Sequence, residues 1–135
     1  MTTVTASGEL PLGSETDIVL GRQAVRRFAQ EQGFSLVEQT KLVTAASELA
    51  RNAVIYGGGG VLKWQMLLDG LRRGVRLIFE DEGPGISDIE KALTDGWSSG
   101  SGLGLGLTGA RRLVNEFELE SRAGAGTRVT ITRWK

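Results

Sequence analysis

The sequence predicts an α/β sandwich of two layers, with helices covering one face of a mixed, mostly antiparallel sheet. Two long segments place apolar residues at helical spacing, one through Ile18, Gly21, Val25 and Phe28, the other through Leu42, Ala45, Ala46, Leu49 and Ala53. Four shorter apolar runs, bounded by glycine-rich turns, read as strands that follow one another closely enough to pair antiparallel. A length of 135 residues suits one domain, residues 1–135, with a single core.

Residues 1–12 read as a flexible start and one short edge strand that ends near Leu12. Ser14 to Thr16 then offers N-cap chemistry for a helix running to about Gln32, and Gly33 stops it. Ser35 and Glu38 have the spacing of a capping box, which opens the second helix. Gly57 to Gly60 ends that helix. Val61 to Leu68 and Gly74 to Phe79 are predicted strands joined by a turn at Asp69-Gly70. From Asp81 to Gly104 the periodicity dissolves into glycine and serine, with a short helical piece near Ile89 to Leu93. A third helix is expected over Leu105 to Asn115. Two last strands, Glu118 to Arg122 and Thr127 to Trp134, flank the turn Ala123-Gly-Ala-Gly126. The order is β-α-α-β-β-α-β-β.

Composition excludes several chemistries. Sixteen basic and sixteen acidic residues cancel, leaving no electrostatic footprint for nucleic acid or an anionic membrane. With no cysteine there are no disulfides, thiolate metal sites or thiol catalysis. With no histidine there is no Ser-His-Asp triad, imidazole base, His-ligated metal or phosphohistidine. The first residues lack a basic and an apolar signal region, and eighteen apolar residues run together nowhere. A cytoplasmic protein without export signal or membrane span is expected.

Glycine is the anomaly. It supplies 20 residues, and 14 of them fall between Gly57 and Gly109. Glycine so concentrated suggests backbone wrapped closely around something.

Three motifs could carry chemistry. In Ser47-Glu-Leu-Ala-Arg-Asn52, Glu48 and Asn52 are four apart on the flank of the apolar stripe. A carboxylate and a carboxamide so placed can hold a proton acceptor beside a hydrated cation; they also make an ordinary polar pair. Glu80-Asp-Glu-Gly-Pro-Gly-Ile86 follows a strand, and its acid at the strand end could accept from an exocyclic amine. The same residues would also serve as a charged turn. Gly96 to Gly109 opens a helix with glycine-rich backbone, which suits a polyphosphate. Gly104-x-Gly106-x-x-Gly109 matches the dinucleotide fingerprint only literally, because no strand immediately precedes it and 26 residues are too few for the rest of that fold. No Gly-Lys pair exists for a Walker A loop.

As a set, E-x-x-x-N on a helix, D-x-G-P-G-I after a strand and G-x-G-x-G-L before a helix resemble the Bergerat-fold (GHKL) ATP-binding superfamily of gyrase, Hsp90, histidine kinases and MutL. The likeness covers residues from about 14 to the C-terminus. Small size and the segments S-E-L-A-R-N, E-D-E-G-P-G-I, D-G-W-S-S-G-S-G-L-G-L-G-L and A-G-x-G-T point to the bacterial anti-sigma serine kinases, and within them to the stressosome switch kinases.

This resemblance implies ATP and Mg²⁺ as cofactors. By position it implies Glu48 as the base that accepts the substrate hydroxyl proton and Asn52 as the Mg²⁺ ligand. Asp81 corresponds to the adenine-reading carboxylate, with Gly83, Gly85 and Ile86 at the floor of the base pocket. Gly102, Leu103, Gly104, Leu105 and Gly106 correspond to the phosphate-binding turn. Thr127 corresponds to a second adenine reader, and residues about Ser87 to Ser101 to a short lid.

The implied partners are a STAS-domain substrate or scaffold and a PP2C-type phosphatase activated by released kinase. No nucleic acid is implied, and the chain is expected as a monomer or weak dimer. Two alternatives stand beside serine/threonine kinase activity. One is an anti-sigma kinase that binds a sigma factor directly. The other is a nucleotide-controlled binding module without phosphotransfer. Retention of Glu48 favours the kinase.

The remaining features have plainer readings. The pairs Arg26-Arg27, Arg72-Arg73 and Arg111-Arg112 are expected as surface charge, and Trp64, Trp97 and Trp134 as core or rim packing.

Overall fold

The computed structural model describes residues 1–85, 103–121 and 123–135, and of residues 103–105 only the backbone. The described elements are β1 (Thr2–Leu12), α1 (Glu15–Glu31), α2 (Leu36–Ile55), β2 (Gly60–Asp69), β3 (Arg72–Asp81), α3 (Leu103–Arg112), β4 (Glu116–Ser121) and β5 (Thr127–Trp134).

Local chemistry starts both long helices where the sequence places the starts. The Ser14 hydroxyl accepts from the Asp17 N–H at 3.3 Å, and Asp17 in turn accepts from the Gly13 N–H at 2.8 Å. At α2 the capping box is complete. Ser35 Oγ accepts from the Glu38 N–H at 3.2 Å, and the Glu38 carboxylate accepts from the Ser35 N–H at 2.8 Å. Such a cap is worth about 1 kcal/mol. The predicted stripes face inward: Ile18, Gly21, Val25 and Phe28 of α1 and Leu42, Ala45, Ala46, Leu49 and Ala53 of α2 are all buried.

The five described strands form one sheet in the order β1-β2-β3-β5-β4. Every pairing is antiparallel, which corrects the expected mixed sheet. The crossover through α3 carries β4 to the far edge, and β5 returns into the gap between β3 and β4, opposed to both. Alternation turns Leu62, Met66, Val75, Leu77, Phe79, Val129 and Ile131 toward the helices, where they join one core. Phe28 of α1 stacks on Trp64 of β2 at 4.3 Å between ring centroids. Gln32, buried at the end of α1, donates from Nε2 to the carbonyls of Leu67 and Gly74, fastening the helix to β2 and β3. A buried amide so satisfied holds register as well as position.

The other sheet face carries polar residues that pair with one another. Lys63 lies 3.1 Å and Arg128 3.7 Å from Glu80, and Arg76 donates to Thr132 at 3.2 Å. Trp134 lies across Gly74 on this face, with the Arg72 guanidinium 4.8 Å from its ring centroid.

Several boundaries differ from the expected ones. The N-terminal residues form a full strand: β1 pairs with β2 from Thr2↔Asp69 to Leu12↔Gly60, with an irregularity between Val4 and Ala6. The terminal ammonium meets Asp69 at 3.2 Å. Backbone pairing therefore orders a segment whose side chains are mostly exposed. β3 runs on to Asp81, α3 spans Leu103–Arg112 rather than residues 105–115, and β4 spans Glu116–Ser121. The expected helical piece at 89–93 lies outside the described residues. No helix among the described residues is long and apolar enough to cross a membrane.

Candidate functional site

The sheet ends in a row of four residues. Gly60 pairs with Asp81, Asp81 with Thr127, and Thr127 with Ser121, across β2, β3, β5 and β4. Asp81, Thr127 and Ser121 each lie two residues from a core-facing neighbour, the buried Phe79 and Val129 and the partly buried Leu119, so their side chains stand on the helix-covered face. A cavity of about 560 Å³ at this end is lined by Glu80, Asp81, Glu120, Ser121, Gly126, Thr127 and Arg128, so it also borders the polar sheet face.

Asp81 is held from its own loop and from its neighbour strand. It accepts from the Gly83 N–H at 3.0 Å and from the Thr127 backbone N–H. Its carboxyl nevertheless lies above the usual aspartate range, because burial outweighs the two hydrogen bonds. A partly buried acceptor oriented by backbone amides suits a ligand N–H.

Glycines make room for it. A Cβ on Gly57 would meet Asp81 Oδ2 at 2.6 Å, and one on Gly83 would meet the Gly57 Cα at 2.6 Å. Gly126, at φ +86°, lies against the Asp81 backbone carbonyl. The Gly124 N–H donates to the Pro84 carbonyl at 2.7 Å. Three loops thus converge on one carboxylate: the end of α2, the turn after β3, and the turn between β4 and β5.

Glu48 and Asn52 project from α2 toward α3. A Cβ on Gly106 would stand 3.1 Å from Asn52 Nδ2 and 3.5 Å from Glu48 Oε2, so α3 approaches both side chains through a glycine. The Asn52 carbonyl accepts from the N–H groups of Tyr56 and Gly57, both at 3.0 Å. The residue carrying the carboxamide therefore also holds the glycine against Asp81. Asn52 Nδ2 is buried and has no hydrogen-bond partner among the described residues. A buried amide left so costs about 1–3 kcal/mol unless something bound satisfies it.

Asp81, Gly83, Gly85 and Thr127 accordingly gather at one end of the sheet, and Glu48, Asn52 and Gly106 gather between α2 and α3. Leu103, Gly104 and Leu105 lie within the first turn of α3, inside the helix rather than before it. Ile86, Gly102 and the expected lid, Ser87 to Ser101 with Trp97, lie outside the described residues. Two contributors escaped the sequence reading. Gly57 had a signal in the dense run Gly57–Gly60, read there only as a helix stop. Ser121 had none, because its neighbour Thr127 is set by strand register.

A family profile described as Histidine kinase-, DNA gyrase B-, and HSP90-like ATPase matches residues 37–135. The chain belongs to this ATPase family. It is 46% identical over 121 residues to the Serine/threonine-protein kinase RsbT of Bacillus subtilis (strain 168), covering 90% of this chain and 91% of that protein. It is 31% identical over 119 residues to the Anti-sigma F factor of Clostridium novyi (strain NT), with 83% and 82% covered. The Anti-sigma F factor of Thermoanaerobacter sp. (strain X514) is likewise 31% identical over 119 residues, with 84% and 82% covered.

The expected superfamily, the two-layer α/β architecture and the expected enzyme class, a GHKL-type serine/threonine protein kinase, are borne out by these likenesses. Membership of the ATPase family implies an ATP site.

The donor set fits a nucleotide with a divalent cation. A carboxamide can offer its oxygen to a cation and its N–H to a phosphate oxygen. No group of three or more acidic side chains among the described residues could hold a metal by itself. A hard cation held by one or two side chains completes its shell with phosphates and water, as Mg²⁺ commonly does.

Proposed function

We propose that the protein is an ATP- and Mg²⁺-dependent serine/threonine kinase that phosphorylates a STAS-domain partner in a bacterial partner-switching pathway. The observation that carries the proposal is the placement of Glu48 beside Asn52, both within reach of α3 at Gly106. A carboxylate next to the amide that addresses the phosphates is what transfer to a hydroxyl requires and what mere nucleotide binding does not.

Each residue has a part in this reading. Asp81 accepts from the adenine amine, and Thr127 reads the same edge of the base. Gly83, Gly85 and Ile86 form the floor beneath it. The turn from Gly102 through Leu103, Gly104 and Leu105 to Gly106 presents N–H donors and the positive end of the α3 dipole to the phosphates. Asn52 addresses the cation and a phosphate oxygen. Mg²⁺, when bound, neutralises charge on the phosphates and lowers the cost of its build-up during transfer. Glu48 orients the hydroxyl of a partner serine or threonine and takes its proton as the new O–P bond forms. No histidine is needed, because alignment and charge neutralisation supply most of the catalysis.

In the same reading the kinase works in the cytoplasm as a monomer or weak dimer, and once released from its substrate it activates a PP2C-type phosphatase. A second reading is sequestration of a sigma factor, favoured by likeness to two proteins named Anti-sigma F factor.

Glu48→Gln tests the transfer step. Phosphorylation of a purified STAS partner is expected to fall by about 10²–10⁴-fold, while calorimetric ATP affinity stays within about twofold. Transfer at the wild-type rate by Glu48→Gln would refute the assigned role. Tight ATP binding by the wild type without transfer to any STAS partner would favour sequestration.

A further inference from the structure

The outer side of α2 carries a row of side chains that the nucleotide does not account for. Lys41, Thr44, Glu48, Arg51 and Ile55 follow one another at spacings of three and four, so they share one stripe of the helix. Glu48 is half-buried and the other four are exposed, Ile55 by 53%. Asn52 and Arg51 stand on opposite sides of Glu48. At about 100° per residue, Asn52 lies about 40° round the axis from Glu48, on the flank that α3 approaches at Gly106. Arg51 lies about 60° round the other way and faces solvent. It makes no ion pair among the described residues. The row thus holds two cations, Lys41 and Arg51, and no acid besides Glu48.

We propose that Arg51 is a specificity-determining residue for the partner, pairing with an acidic side chain that the partner carries within about four residues of the hydroxyl it presents to Glu48. The buried face of α2 closes one approach to Glu48 and α3 closes another, so the segment bearing the hydroxyl arrives over the exposed row and covers Arg51. Three residues of helix set Arg51 about 4.5 Å along the axis from Glu48. Two residues of extended chain span about 6.6 Å and one helical turn about 5.4 Å, so an acid at either spacing from the hydroxyl comes within reach of the guanidinium. A guanidinium matches a carboxylate in a two-pronged hydrogen bond and holds it away from the Glu48 carboxylate. Ile55, one turn beyond Arg51, offers the same segment an apolar contact. The inference rests on the kinase reading above and names the chemistry of the partner beside its hydroxyl.

The test measures initial rates of transfer from ATP to the purified STAS partner, at varied partner concentration, for wild type, Arg51→Ala and Arg51→Glu. The KM for the partner is expected to rise about three- to tenfold in Arg51→Ala and further in Arg51→Glu, with kcat and calorimetric ATP affinity within about twofold of wild type. Added salt should raise the wild-type KM more steeply than that of Arg51→Ala. Mass spectrometry then locates the phosphorylated hydroxyl, and each Asp or Glu of the partner within four residues of it is replaced by Lys in turn. One replacement should bring the KM of Arg51→Glu back toward the wild-type value. A KM unmoved in Arg51→Glu, its restoration by none of these replacements, or ATP affinity lost in Arg51→Ala would each overturn the inference while leaving the kinase reading intact. Wild type that transfers to no STAS partner would remove the kinase reading itself, and this inference with it.

Discussion

Gly57 lies against the side chain of Asp81 so closely that a Cβ there would stand 2.6 Å from Oδ2 and 2.7 Å from the Asp81 Cβ. Gly57 is absent from the glycines with positive φ, so packing and not backbone conformation requires glycine. Gly57→Ala should therefore fold and still displace the carboxylate. Adenine-nucleotide affinity is expected to fall at least about tenfold, the cost of losing one charge-assisted hydrogen bond. Calorimetry with ATP, beside a far-UV circular dichroism spectrum, reads both. Unchanged affinity would mean that Asp81 does not bind the base.

The raised pKa of Asp81 gives two opposite pH dependences. Its cause is burial, only partly offset by the N–H groups of Gly83 and Thr127. An acid with a higher pKa folded than unfolded costs stability in its charged form. The cost is absent below the ordinary aspartate pKa and complete above the raised one. Asp81→Asn is therefore expected to match wild type in acid and to equal or exceed it at neutral pH in urea denaturation. Nucleotide binding runs the other way, because a protonated carboxyl is a poorer acceptor. ATP affinity should weaken as pH falls through the raised pKa, earlier than an ordinary aspartate would dictate. Affinity that is flat down to the ordinary range would contradict the assignment.

Gly106 and Gly109 lie one turn apart on α3 and should answer oppositely to alanine. A Cβ on Gly109 meets nothing within 4 Å, whereas one on Gly106 meets Asn52 at 3.1 Å. Gly109→Ala should raise stability by about 0.5–1 kcal/mol, the helix propensity difference, without touching ATP binding. Gly106→Ala should gain less and lose Mg²⁺-dependent ATP affinity about tenfold, through the displaced carboxamide. Thermal melts and calorimetry with and without Mg²⁺ separate the two. Equal behaviour of the two variants would show that Asn52 tolerates the shift.

The α2 capping box predicts a stability effect remote from the nucleotide. The Glu38 carboxyl is held below its usual range, first by the Ser35 N–H, which outweighs the opposing effect of burial, with the Ser35 hydroxyl, Arg133 and Lys135 adding to it. An acid with a lowered folded pKa contributes stability above its unfolded pKa and loses it as pH falls through the folded one. Glu38→Gln should cost about 0.3–1 kcal/mol at neutral pH, the range for a charge in the first turn. The difference from wild type should vanish in strong acid. Denaturant midpoints at neutral and acidic pH decide it.

Much of the architecture was legible in the chain. Ser14, Ser35 and Glu38 mark helix starts by local hydrogen bonding, and the stripes through Val25 and Leu49 mark buried faces by periodicity alone. Glu48 and Asn52 were legible as a pair because four residues make one helical turn. Less legible were the length of β1 and the purely antiparallel sheet, since both depend on pairings with distant residues. Asn115, expected inside the third helix, instead accepts from the Trp134 N–H at 2.7 Å and serves the strand. Its carboxamide finds a better partner in the tertiary structure than in a further turn of helix.

The candidate site divides along the same line. The sequence by itself determined which chemistries are absent, where the motifs lie, and that glycine gathers around them. Those are properties of residue type and of spacing within one element. Only the tertiary structure decided that Gly57 gives Asp81 its room, that Gly106 lets α3 approach Asn52, and that Ser121 stands beside the Thr127 hydroxyl. Each joins residues on different elements, and strand register and helix packing set such contacts to within an ångström. A periodic pattern locates a face; it cannot locate the atom on the neighbouring element that will meet it.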